Sequence, residues 1–127
     1  MLSIPATKGF EIGAGFAAAR MKGSEHNDPF TLDASGKIIT KTNFAGGTLG
    51  GISTGMPLLF RVAFKPTSSI KKTQMTLHAQ DETPHEFTLP EGSRHDPCVA
   101  IRAVPVAQAM TALVLADSLL NYSPPIS

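Results

Sequence analysis

Apolar positions along the chain fall into short runs whose period changes from segment to segment. Residues 8–13 (KGFEIG) alternate weakly and predict a strand. Residues 16–21 (FAAARM), with Gly15 before and Gly23 after, predict a short helix. Turn-forming residues fill 24–29 (SEHNDP). Asp33, Ala34, Ser35 and Gly36 predict a hairpin turn joining 30–32 to 37–41. Residues 57–64 (PLLFRVAF) are apolar almost throughout, which predicts a strand covered on both faces. Residues 74–79 alternate and predict another strand, followed over 81–92 by a loop or hairpin with 86–89 extended. The last element is the strongest helix. Pro105 suits its first turn, Val106, Met110, Leu113, Val114 and Leu120 form its apolar stripe, and Asp117 interrupts that stripe. Pro124 and Pro125 end it. The expected class is α+β: mainly antiparallel strands and a long C-terminal helix laid over them.

Composition narrows the possibilities. The 127 residues suit a single domain spanning 1–127, and 42% hydrophobic against 17% charged residues describes a globular chain. A net charge of +1 offers no bulk attraction to nucleic acid or to an anionic membrane, so neither is an expected partner. An anion site must then be built locally from a few cations and backbone N–H groups. One cysteine, Cys98, forms no internal disulfide; it predicts a reducing compartment and a small buried apolar side chain. The apolar stretch 109–120, broken by Thr111, Asp117 and Ser118, is too short to cross a bilayer, and residues 1–5 lack signal-peptide character. The expected location is cytoplasmic. His26, His78, His85 and His95 lack metal-ligand spacing, so no metal is expected.

Three segments carry candidate chemistry. Residues 65–69 (KPTSS) place a lysine, hydroxyls and backbone N–H groups at a strand end, where they can hold a phosphate; the alternative is an ordinary loop. Residues 45–51 (AGGTLGG) allow a planar ring or a phosphate to approach the main chain; the alternative is a set of tight turns. The dinucleotide-binding glycine spacing is absent. Arg94, His95, Asp96, Pro97 and Cys98 combine a guanidinium suited to phosphate with a carboxylate able to relay a proton; the alternative is a surface ion pair.

Read in order, residues 3–9 (SIPATKG), 45–53 (AGGTLGGIS), 61–69, 94–98 (RHDPC) and 102–105 (RAVP) resemble chorismate synthase over nearly the whole chain. The resemblance implies the C-terminal portion of that enzyme and its β-α-β sandwich fold. It implies conversion of 5-enolpyruvylshikimate 3-phosphate into chorismate and phosphate, a 1,4-elimination that requires reduced FMN (FMNH2) without net redox change. It leaves open whether NADPH serves the same enzyme as reductant. It implies flavin contacts at Pro5, Ala6, Gly50, Lys65, Pro66, Thr67, Ser68, Ser69 and Arg94, and gives Asp96 the proton at flavin N5. It further implies a homotetramer in the full-length enzyme. Two departures accompany it. The family's N-terminal portion, with a GESHG-type motif, two acid histidines and most substrate-binding arginines, has no counterpart here, so the chain alone is expected to be inactive. Gln108 stands where the family signature has glutamate. The competing readings are a non-catalytic flavin- or phosphate-binding module and a purely structural domain.

Overall fold

The computed structural model of the chain describes residues 1–122 and divides them into two compact units that meet at Phe64 and Lys65. The tail prolines Pro124 and Pro125 lie outside the described residues.

In the first unit, β1 (Thr7–Ile12) pairs antiparallel with β6 (Phe60–Phe64), so that Glu11 faces Arg61 directly. Their side chains form an ion pair at 2.7 Å, and the second Glu11 oxygen accepts the backbone N–H of Phe16 at 3.0 Å. That carboxylate therefore ties the ladder to the element that follows β1. The helix predicted over 16–21 is a 3₁₀ turn, Gly15–Arg20, held by i to i+3 hydrogen bonds. Six residues starting so close to a strand end are too few to nucleate an α-helix. The turn predicted over 24–29 begins with one helical turn, α1 (Gly23–His26), where the backbone N–H of Lys22 donates to Glu25 Oε2.

The predicted hairpin is present as β2 (Phe30–Leu32) and β3 (Ile38–Thr40). Asp33 accepts from the Ser35 hydroxyl and from the Lys37 and Ser35 backbone, which closes the turn and holds its carboxyl below the usual range. The long apolar run resolves differently from its prediction. The strand is shorter, and along β6 Phe60, Val62 and Phe64 are half-buried while Arg61 and Ala63 are exposed. One face is open in this chain, which is why the one charged residue of the run sits there. Leu59 instead bonds to turns: its carbonyl accepts from Gly13 and its N–H donates to Gly46.

Asp28 stitches this unit together across sixteen residues of chain. It accepts from the Thr42 hydroxyl at 2.6 Å and from the backbone N–H groups of Phe44 and Ala45 at 2.9 and 2.8 Å. Burial works to raise its pKa, but these donors, with the His26 charge, outweigh it and hold the carboxyl below its ordinary 3.8. The stability it contributes is therefore complete above about pH 4 and is lost as pH falls through the depressed folded value. Asp28→Ala should lower the unfolding free energy of the full-length protein by about 2 kcal/mol at neutral pH. Its deficit against the parent should shrink in acid, which urea titrations at pH 7 and pH 3 would measure.

In the second unit, β7 (Gln74–Leu77) and β8 (Pro84–Phe87) form an antiparallel hairpin. The pairing resolves the region predicted as loop or hairpin in favour of the hairpin. The strand ends before His78, which turns to contact Asp81. The long helix α2 runs Val99–Leu120. It starts six residues before Pro105, which lies inside it; residues 99–104 are good enough helix formers to extend it backwards despite the N–H that proline lacks.

Three expectations about this helix change. Its apolar stripe is not covered: Leu113 and Leu120 are 63% and 85% exposed, and Ala103 is the helix's one buried side chain. Cys98, at its N-cap, is exposed rather than buried. At 22 residues and mean hydropathy 1.7 it is long and apolar enough to cross a membrane, because the apolar stretch continues back from 109 to Val99 and the helix carries only Arg102 and Asp117 as charges. Gln108 is exposed on the helix. The described architecture is thus antiparallel strand pairs with one long C-terminal helix.

Candidate functional site

The glycine segment separates into two halves with different work. Gly46 and Gly47 are buried, with φ of 71° and 87°. A side chain on Gly46 would meet the Gly13 backbone nitrogen at 2.4 Å, and one on Gly47 the Pro57 carbonyl at 2.6 Å. These glycines let the protein's own backbone close on itself. Gly50 and Gly51 form the two-residue turn between β4 (Thr48–Leu49) and β5 (Ile52–Ser53), with φ of 59° and 80°. Both positive values define a type I′ hairpin turn. Nothing lies within 4 Å of a side chain built on either. Of the whole motif, this tip is the backbone left open to a ligand.

Pro5 and Ala6 lead into β1. Ala6 has φ of 67°, a left-handed conformation uncommon for alanine. Next to it, the Thr7 hydroxyl is buried without a hydrogen-bond partner among the described residues. A buried hydroxyl left unpaired is costly. Gly50, by contrast, presents main chain only.

In the second unit, Lys65, Pro66 and Ser68 are exposed, and Thr67 and Ser69 are half-buried. None of their side chains has an ion pair or hydrogen bond among the described residues, so their donors are free. Further along, Lys71, Ser93, Arg94, His95, Asp96 and Arg102 line a cleft of about 520 Å³. The segment 94–98 leads into the helix, and the first turn of α2 carries Arg102 back towards it. Asp96 Oδ1 accepts from Arg102 Nη2 at 2.8 Å. The cation on Asp96 is therefore Arg102 and not its sequence neighbour Arg94, which has no carboxylate partner among the described residues.

The structure thus gathers Arg94 and Asp96 in one cleft and places Pro5, Ala6 and Gly50 at two exposed turns of the first unit. It also adds residues that sequence reasoning passed over. Lys71 sits in a stretch without a motif. Arg102 was noticed only as part of 102–105; a carboxylate three residues before a helix and an arginine in that helix's first turn was the signal for the pair. Chemically, a cleft with three cations, one carboxylate and one imidazole has the groups to hold an anion with a proton-handling group beside it.

The chain matches the family model for chorismate synthase over residues 1–120. It is 62% identical over 120 residues to a chorismate synthase of Protochlamydia amoebophila, covering 94% of this chain and 32% of that protein. It is 55% identical to those of Crocosphaera subtropica and Opitutus terrae, covering 96% and 97% of this chain and 33% of each relative. A crystal structure of chorismate synthase is 48% identical and matches 51% of this chain and 20% of that one, with a TM-score of 0.48. The chain belongs to the chorismate synthase family. It spans about a third of the length of the curated relatives it matches.

Proposed function

We propose that the chain is the flavin-binding C-terminal part of a chorismate synthase. In this reading the whole cytoplasmic, homotetrameric protein eliminates phosphate from 5-enolpyruvylshikimate 3-phosphate to give chorismate. The observation that carries the reading is the cleft that sets Asp96 beside Arg94, Lys71 and Arg102 in a chain matched to this family over 120 residues.

The residues present fit FMN. In the first unit, the turn at Pro5 and Ala6 and the open main chain at Gly50 are the proposed contacts for planar and polar parts of the cofactor. In the second unit by itself, Lys65 and Arg94, with the N–H and hydroxyl donors of Thr67, Ser68 and Ser69 beyond Pro66, offer charge and donors suited to a phosphate. Bound reduced FMN supplies the electron density that an elimination without net redox change borrows and returns, and NADPH is the proposed source of its electrons. Asp96, one oxygen held by Arg102, takes or gives a proton through the other.

The surface area supports reading the chain as part of a larger whole. Large apolar side chains stay exposed along α2, Leu119 and Leu120 by 74% and 85%. The chain alone should therefore show no turnover.

The test is chorismate formation by the full-length protein, assayed anaerobically with reduced FMN and 5-enolpyruvylshikimate 3-phosphate. Chorismate is the expected product. Folded full-length protein that binds FMN and makes none would leave the non-catalytic flavin-binding module as the reading.

A further inference from the structure

Resting on the reading above, we propose that Arg102 is a positioning residue: it fixes the Asp96 carboxylate in one orientation so that its free oxygen faces the proton it handles, while Arg94 and Lys71 are left to the anion. Three features of the second unit carry this. Arg102 is the fourth residue of α2, and its neighbour Ala103 is that helix's one buried side chain. The turn that presents the guanidinium is thus the packed part of the helix. Asp96 precedes Pro97, which restricts its backbone towards an extended conformation. The carboxylate is then held from both sides, by proline through the main chain and by Arg102 Nη2 through Oδ1 at 2.8 Å. Among the described residues Oδ2 has no partner.

The arrangement does not exist for stability. The two side chains are 78% and 36% exposed, and such a pair contributes at most about 1 kcal/mol. Removing it should leave the fold in place and act on turnover. The pair also divides the cations of the cleft. Arg102 is neutralised by Asp96, whereas Lys71 and Arg94 keep their charge for a ligand.

The experiment compares Arg102→Gln, Arg102→Lys, Asp96→Asn and the double variant Arg102→Gln/Asp96→Asn in the full-length protein. Thermal midpoint, Kd for reduced FMN by anaerobic titration, KM and kcat are measured for each. Arg102→Gln should lower kcat by about tenfold or more, as removal of a partner that orients a reacting group does. Its thermal midpoint should stay close to the parent's, and its KM and its Kd for FMN should stay within about twofold. Arg102→Lys should recover much of the loss, since one N–H donor to Oδ1 suffices. In the double variant, Arg102→Gln should cost nothing beyond Asp96→Asn. Multiplying losses in the double variant, or a rise in the FMN Kd that accounts for the lost turnover, would overturn the proposal in favour of Arg102 as a second anion binder. Full turnover in Arg102→Gln with impaired Asp96→Asn would overturn it while sparing Asp96. Full turnover in Asp96→Asn would overturn the role of Asp96 itself.

Discussion

Replacing Gly46 with alanine is expected to cost more than about 4 kcal/mol, at the extreme of single substitutions. Two costs combine at one atom. A φ of 71° is left-handed backbone, worth about 1–2 kcal/mol against any L side chain. The new methyl would also lie 2.4 Å from the Gly13 nitrogen and 2.8 Å from the Leu59 carbonyl oxygen. Those are main-chain atoms already tied together, because the Gly13 N–H donates to the Leu59 carbonyl and the Leu59 N–H to the Gly46 carbonyl. Neither neighbour can move without breaking the junction at which β1, β6 and the glycine segment meet. Soluble yield and denaturant midpoint of the full-length variant would report the loss. The control is Gly50→Asn, four residues along the same motif. Asparagine tolerates the left-handed turn and meets nothing there, so stability should change by less than about 1 kcal/mol. A Gly46→Ala protein as stable as the parent would mean the two backbones do not approach as described.

Asp96→Asn in the full-length protein should lower kcat by about 100-fold or more, the usual scale for a positioned proton-transfer group. Its Kd for FMN should rise far less, because asparagine keeps the shape and the acceptor oxygen that Arg102 meets. Arg94→Ala should raise the FMN Kd and lower turnover together. It removes a fixed charge without a carboxylate partner of its own, and Lys71 is a flexible point charge that does not reproduce a guanidinium fork. Parallel binding and single-turnover measurements separate the two effects. Undiminished turnover in Asp96→Asn would remove the carboxylate from the mechanism.

Legibility in the sequence differed by element for physical reasons. The hairpin around Asp33 was readable because its chemistry is local: one aspartate satisfies the turn within four residues. The two strands later paired as β1 and β6 were each recognisable, but not as partners, since nearly fifty residues separate them. The two-sided burial expected for 57–64 is not met, because this chain supplies cover for one face of the strand and leaves Arg61 and Ala63 exposed. The apolar stripe of α2 is likewise uncovered in this chain. Pro105 places the helix start too late, because the segment before it has sufficient helix propensity to extend the element back to Val99.

The sequence by itself determined the mixed antiparallel-strand and long-helix class, the family, and the residues carrying candidate chemistry, because motif order and local periodicity are properties of the chain. It also showed that the glycine segment brings main chain close to something. Only the tertiary structure decided what that something is: the protein's own backbone at Gly46 and Gly47, and open space at Gly50 and Gly51. Only the tertiary structure chose Arg102 over Arg94 as the partner of Asp96. Spacing along a chain states which groups are neighbours in sequence, whereas a helix turn after a proline returns a residue six positions away to hydrogen-bonding distance, and that depends on where the helix begins.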